Sequence, residues 1–495
     1  MNSLSKGKRS MKKKLSILVL LIALVNVGIF FVNSYNNFKI DEKFTPIALS
    51  FDPYSSTSTY DWNGSIVSIQ GGFVKGKMKE TDNSESLLVR SLSPSVKITI
   101  KGGAQSSTVH IRLENVNLKK IDVKNTDSAH SVDPHTIMLV TTVPSGQEKT
   151  LEVTLKETPN PEFVILGDNR NGYQTFSQII DQINTIEPAF TIDNGDLVYG
   201  GEPNKYRLFY ETVSKLQVPL YTTLGNHDIR ENGRETYTKL FGPAYYSFDY
   251  QNIHFAFLDS SRGWTEKRTI PEEQYQWLEK DLAKAQGKRI FVVTHIPPTD
   301  PRAKTEPNPY PQMSETEKTT AIKQEMSKLS GTSNIDHSFP DKEEAKRFEN
   351  MMTKYKVDTV FMSHIHAYYS FVKDDVRYII SGGAGAELLT KDSYYHFMRV
   401  KVTEKENYLE VVELPSPPNL IMDRYIAAAQ MFAQSIYKEY TSIVYAIGSV
   451  IVLVIGWILW IFRQKWWAFL QRLARWFYEI AKFAILKYKE IFKQK

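Results

Sequence analysis

The chain of 495 residues contains no cysteine. That excludes disulfide frameworks, zinc fingers, thiolate nucleophiles and Cys-ligated iron–sulfur clusters, so any bound metal takes nitrogen and oxygen donors. It leaves the redox compartment open. No G-x-S-x-G elbow and no Walker loop is present, so Ser-His-Asp acyl chemistry and P-loop nucleotide hydrolysis lack their sequence support. A basic body is missing too. The net charge of +6 arises at the ends: Lys6, Lys8, Arg9, Lys12, Lys13 and Lys14 precede any acid, and the tail from Arg463 holds nine basic and two acidic residues, which leaves −7 for residues 15–462. No nucleic-acid binding is expected from such a body. Extremes of composition are also absent, with 42% hydrophobic and 23% charged residues. A disordered, collagenous or fully membrane-embedded chain is therefore excluded, and the length argues for two or three units.

Two long apolar runs are present. Residues 15–32 carry no charge and follow the first basic cluster, so they form a signal peptide or an anchor; the lack of a small-x-small cleavage site favours an uncleaved transmembrane anchor. Residues 441–462 are uncharged and rich in Ile, Val and Leu, with Trp457, Trp460, Trp466 and Trp467 at the composition expected of a headgroup boundary. Both basic clusters lie on the outer flanks, so the expected topology is two-pass in the cell membrane: cytoplasmic termini (1–14 and 463–495) and an extracytoplasmic body. In the tail, Trp466, Leu470, Leu473, Phe477, Ile480, Ala484, Tyr488 and Ile491 recur at helical spacing among Lys and Arg. Such a basic amphipathic helix suits anionic membrane lipid, with a partner helix as the competing occupant.

The body divides by texture. Residues 44–157 alternate in short runs, such as Val96–Ile100, Val109–Leu113 and Leu151–Leu155, separated by turn residues. They predict an all-β sandwich with nothing catalytic visible. From about 160 to 415, apolar strands alternate with amphipathic helices: strands at 163–166, 189–193, 220–224, 290–294 and 359–363, helices at 173–187, 203–217, 271–286 and 341–356. That order predicts an α/β layered domain with a sheet core.

Polar residues cluster where those strands stop. The five ends read Gly167-Asp168-Asn169-Arg170, Gly195-Asp196-Leu197-Val198-Tyr199, Gly225-Asn226-His227-Asp228, Val292-Val293-Thr294-His295 and Ser363-His364-Ile365-His366. Open α/β sheets place their ligand crevices at strand C-termini. Two Asp, one Asn and three His form an oxygen and nitrogen donor set suited to Mn, Fe, Zn or Mg. The set exceeds the needs of one four-coordinate ion, which makes a pair of divalent or mixed-valence ions the economical reading.

All five motifs in order resemble the calcineurin-like metallophosphoesterases, with a purple-acid-phosphatase-like variant of the second motif and a β-sandwich ahead of it. Ser381-Gly382-Gly383-Ala384-Gly385 is similar to the Gly-rich turn of that family, or is a simple hairpin turn. The resemblance implies a layered metallophosphoesterase sandwich and a dinuclear phosphoesterase that hydrolyses phosphate esters with a metal-bound hydroxide. It implies that Asp168 and His366 hold one ion, that Asp196 bridges, and that Asn226, His295 and His364 hold the other. His227 is then the general acid, with Asp228 orienting it and raising its pKa.

Two departures follow. Arg170 stands where the family has a histidine ligand; it cannot coordinate, but its fork can clamp a phosphate oxygen. Tyr199 is either a tyrosinate ligand or a rim residue. The polar excursion from Pro297 to Pro340 is long enough for a lid or partner surface, and its Asp336 and His337 either reach the substrate or lie exposed. A catalytically inactive metal-binding envelope scaffold or receptor is the competing function.

Overall fold

The computed structural model describes residues 19–28, 44–80, 83–263, 266–302, 335–388, 393–415, 420–439 and 441–493. Most of the polar excursion, 303–334, lies outside the described residues, as do 15–18 and 29–32 of the first apolar run. Two compact units result: residues 38–431, and residues 1–37 together with 432–495.

The larger unit begins with two antiparallel-rich sheets. One runs β1 (Phe44–Pro46), β4 (Gly72–Lys79), β5 (Glu85–Ser91), β7 (Ser107–Glu114), β10 (Thr136–Val143), β9 (Ser128–Asp133); the other runs β2 (Thr57–Trp62), β3 (Ser65–Gln70), β6 (Ser95–Lys101), β11 (Glu148–Leu155), β8 (Ile121–Lys124). Alternation decides which face is buried. In β6, Val96, Ile98 and Ile100 enter a core with Val67, Ile69, Val89, Ile111, Leu113, Leu139 and Val153, while Lys97 is exposed. Beneath this core Glu114 accepts from Lys75 at 2.8 Å and Arg90 at 3.2 Å. Burial opposes its charge, but the two cations win and hold its carboxyl below the ordinary range.

Two further sheets follow. The first runs β14 (Leu220–Thr222), β13 (Thr191–Asp193), β12 (Glu162–Leu166), β21 (Tyr395–Val402), β22 (Asn407–Leu414); the second runs β15 (Tyr246–Tyr250), β16 (Ile253–Phe257), β17 (Arg289–Val293), β18 (Thr359–Met362), β20 (Val376–Ser381), β19 (Tyr368–Lys373). Strands β12, β13 and β14 are parallel, as are β16, β17, β18 and β20. Phe163 and Ile165 of β12 face the second sheet in an aromatic layer with Phe190, Phe255, Phe291 and Phe361, where Phe163 meets Phe255 edge-on at 5.2 Å. Such pairs add about 0.5–1.5 kcal/mol each beyond burial.

The alternate residues Val164 and Leu166 pack outward under α2 (Tyr173–Ile186) and α3 (Pro203–Val213). On the far side, α5 (Glu272–Lys284) and α6 (Lys342–Lys354) cover Ala256, Val292 and Val360. The mixed α/β layering expected from the sequence is present: two sheets face each other between helices. Helix α4 (Gly233–Phe241) is packed at the edge of the first helical layer.

The smaller unit contains α1 (Val19–Gly28) and α8 (Thr441–Lys493), which follows α7 (Leu420–Glu439). Among the described residues one stretch, Ile443–Arg463, is long and apolar enough to cross a membrane, with mean hydropathy 2.4. This stretch covers the second expected span, while the first, 15–32, lies partly outside the described residues. The described part of the first run is a ten-residue helix, about 15 Å at 1.5 Å per residue, half of a hydrocarbon core of roughly 30 Å.

Candidate metal centre

The strand ends converge. Asp168 and Asp196 follow β12 and β13, Asn226 and His227 follow β14, His295 follows β17, and His364 and His366 follow β18. Asp168, Asp196, His364 and His366 all have positive φ, at 58°, 56°, 72° and 52°. Left-handed backbone at four such residues costs energy and collects where a site over-determines the chain. Gly225 is required by closeness, because a Cβ there would collide with the backbone and carboxylate of Asp196.

The donors are oriented by the backbone. Asp168 Oδ2 accepts from the His364 amide at 2.7 Å and Asp196 Oδ1 from the His227 amide at 3.0 Å. Nδ1 of His295 donates to the Asn194 carbonyl at 2.8 Å, and Nδ1 of His366 to the Glu387 carbonyl at 2.5 Å. These bonds fix the tautomer, leaving each Nε2 as the inward lone pair. Nε2 of His295 lies 3.4 Å from Asp196 Oδ1 and 4.0 Å from Asp168 Oδ1. Asp168 Oδ1, Asn226 Oδ1 and His295 Nε2 are buried without a hydrogen-bond partner. Buried polar atoms are normally paired, so the orphaned Asp168 Oδ1 and His295 Nε2, 4.0 Å apart, fit a cation. Asp168, Asp196 and His366 also place donor atoms within 4.8 Å of one another. His364 stands beside His295, ring centroids 5.2 Å apart.

Arg170 enters the same space. Its Nη2 lies 3.3 Å from His366 Nε2 and 2.9 Å from Glu387 Oε1, its Nε 3.6 Å from Asp196 Oδ2, and its Nη1 contacts the His227 ring. Burial opposes the charge of Arg170, but Glu387, Asp196 and Asp168 raise its pKa. For His366, burial works against charge and Asp168 for it, with a net upward shift; the donor-only guanidinium nonetheless requires an unprotonated Nε2.

The expected pairing of His227 with Asp228 is not formed. Asp228 accepts from the amides of Val198 at 3.0 Å and Gly225 at 2.7 Å, so it ties two loops together. The ring of His227 is oriented by its Nδ1–H, which donates to the Tyr199 carbonyl at 2.7 Å, while Arg230 Nη2 approaches Nε2 at 3.0 Å. Its pKa is lowered well below the ordinary value, by burial first and then by Arg170 and Arg230, the reverse of the expected rise. Tyr199 presents its ring to the cations of Arg170 and Lys205, at 5.5 and 5.4 Å, and burial raises its pKa. That position suits a rim residue better than a tyrosinate ligand.

The Ser363 hydroxyl, just before His364, donates to the Ser381 carbonyl at 3.0 Å. The Gly-rich turn is part of the centre: Ala386 N–H donates to the Asp168 carbonyl at 2.7 Å and Ala384 N–H to Gly167 at 3.1 Å. His337 is buried, with its ring centroid 5.2 Å from that of His364 and its amide on Asp300 at 3.0 Å. Asp336 instead accepts from Ser338 and Lys342. Sequence reasoning missed Glu387 and Arg230. Arg230 lies three residues beyond His227, and Glu387 two beyond the Gly-rich turn, a position no motif marks.

Residues 161–368 match the family model of calcineurin-like phosphoesterases. A probable glycerophosphodiester phosphodiesterase of Arcobacter nitrofigilis is 33% identical over 23% of this chain and 45% of its own. Purple acid phosphatase 22 of Arabidopsis thaliana is 24% identical over 44% of this chain and 48% of its own. The chain thus spans about half the length of these curated relatives. A solved dimetal phosphatase from Danio rerio is 11% identical with a TM-score of 0.39, covering 51% of this chain and 96% of that one. The stretch that matches the family model holds all five strand-end motifs, from Asp168 to His366.

Proposed function

We propose that this chain is a membrane-anchored phosphoesterase whose catalytic domain works outside the cytoplasm and depends on bound divalent or mixed-valence metal. The observation that carries this reading is that His295 Nε2 and Asp168 Oδ1, both buried and unpartnered, stand 4.0 Å apart with Asp196 Oδ1 3.4 Å from the same His295 nitrogen; Asn226 Oδ1 is buried and unpartnered too. Those residues and His364 would hold an ion of the Mn, Fe, Zn or Mg class. The site's fit around His366 is different, because Arg170 already occupies that donor.

When bound, such an ion supplies water activation and neutralises charge developing at phosphorus. The chain's own residues do the rest. Asp196 and Asp168, fixed by the amides of His227 and His364, hold the donors without reorganisation. Arg170 offers N–H donors to a phosphoryl oxygen, and neighbouring Arg230 adds a second guanidinium. His227, its Nδ1–H held by the Tyr199 carbonyl, turns Nε2 into the pocket 3.9 Å from Asp196 Oδ2 as an acceptor that positions the Arg170 and Arg230 guanidinium groups, rather than as the expected acid. Asp228 keeps the loops of Val198 and Gly225 together, and Tyr199 closes the rim.

Anchoring is supported by the apolar stretch Ile443–Arg463 and by basic residues on the outer flank of each apolar run. The basic aromatic tail, 463–495, is proposed to lie on anionic lipid. The test is p-nitrophenol release from p-nitrophenyl phosphate and its bis ester by the full chain in detergent with Mn²⁺. Hydrolysis that disappears in Asp196→Asn and His295→Ala is expected. A metal-loaded chain that cleaves neither ester overturns the enzyme reading in favour of a metal-binding scaffold.

A further inference from the structure

We infer that the guanidinium of Arg170 takes the place of one of the two cations expected by resemblance, so that the centre holds a single divalent ion. This rests on the phosphoesterase reading and sharpens its metal requirement.

The argument starts from one lone pair. His366 Nδ1–H is committed to the Glu387 carbonyl, so its only remaining donor is Nε2, and Arg170 Nη2 stands 3.3 Å from it. An imidazole nitrogen ligates a metal at about 2.0–2.1 Å through that same lone pair. The hydrogen bond and the ion are mutually exclusive. Arginine does not lose its proton to make room, and withdrawal would separate it from Glu387, 2.9 Å away, inside a site where Arg170 is 6% exposed.

Asn226 Oδ1 and His295 Nε2 have no hydrogen-bond partner, whereas His366 has partners at both nitrogens. Asp168 Oδ1, also unpartnered, is shared by both spaces, 3.5 Å from His366 Nε2 and 4.0 Å from His295 Nε2. The chain has left one coordination space open and filled the other with its own cation.

The experiment strips the full-length chain in detergent with a chelator, then measures Mn²⁺ per chain by equilibrium dialysis with elemental analysis and by electron paramagnetic resonance. The expected result is one Mn²⁺ per chain with an isolated-ion spectrum, and two per chain with a spin-coupled spectrum in Arg170→His. Glu387→Gln, which keeps Arg170, stays at one. Two ions of comparable affinity in the unaltered chain, or a folded Arg170→His that still binds one, overturns the inference while leaving the phosphoesterase reading intact. A folded chain that binds no Mn²⁺ overturns that reading and the inference with it.

Discussion

Asn115 and Leu220 are joined by two hydrogen bonds running in opposite directions: the Leu220 amide donates to Asn115 Oδ1 at 2.8 Å, and Asn115 Nδ2 donates to the Leu220 carbonyl at 3.1 Å. Leu220 opens β14, an edge strand whose outward backbone groups would otherwise be unpaired. Arg90 adds a bond to the same carbonyl at 3.1 Å. The β-sandwich thus covers the edge of the sheet that carries the candidate metal centre. Asn115→Ala leaves the buried Leu220 amide without a partner, and urea denaturation is expected to show a loss of about 2–3 kcal/mol. Asn115→Asp, which keeps the acceptor but sets a carboxylate oxygen against the Ser91 and Leu220 carbonyls, should lose at least as much.

A second expectation concerns alkaline pH. His254 bridges Asp249 and Asp281 at 2.8 Å each, with Lys288 also on Asp249 at 2.6 Å. Burial opposes its charge, yet the two carboxylates raise its pKa from 6.5 to about 9. Because the folded value lies above the unfolded one, the contribution is complete below about pH 6.5 and is lost as pH rises through 9. Its size is about 3 kcal/mol. Denaturation midpoints should fall across that window in the unaltered chain. In His254→Asn the fall should flatten; an unchanged slope would show that His254 is not its source.

Metal removal gives a third. A chelator is expected to abolish ester hydrolysis, and Mn²⁺ to restore it. Ligand that binds only the folded chain adds about 2.7 kcal/mol of stability at one hundred times its dissociation constant. Mn²⁺ should therefore raise the melting temperature of the stripped protein, and His295→Ala should lose that rise along with activity.

The proposed topology can be read with thiol chemistry because the chain has no cysteine of its own. Ser145→Cys, in an exposed turn of the sandwich, is expected to react with a membrane-impermeant maleimide in intact cells. Gln471→Cys, in the basic tail, should react only after permeabilisation. The reverse pattern would invert the assigned sides.

Much of the centre was legible because an apolar run that stops at a carboxylate or imidazole marks a strand end, as at Leu166 to Asp168 and Val293 to His295. The register of helices was less so. The helix expected to reach Gln217 ends at Val213, where Leu216 N–H turns back to the Val213 carbonyl at 3.0 Å. The hairpin of β21 and β22 and the helix α4 were not anticipated, though Tyr395–Val402 alternates as a strand should. What sequence could not give is the partnering of polar groups across loops. Asp228 sits next to His227 in the chain but spends its oxygens on Val198 and Gly225, while Glu387, 217 residues from Arg170, becomes its counter-ion.

The turns that carry Arg170 and Glu387 meet at Gly172 and Gly385, where a Cβ on either would press into the other's backbone and Gly385 has φ 144°. With no side chain between them to act as a cushion, the two turns are geared together. Any side chain at either glycine would have to prise the two turns apart, and with them Arg170 from Glu387.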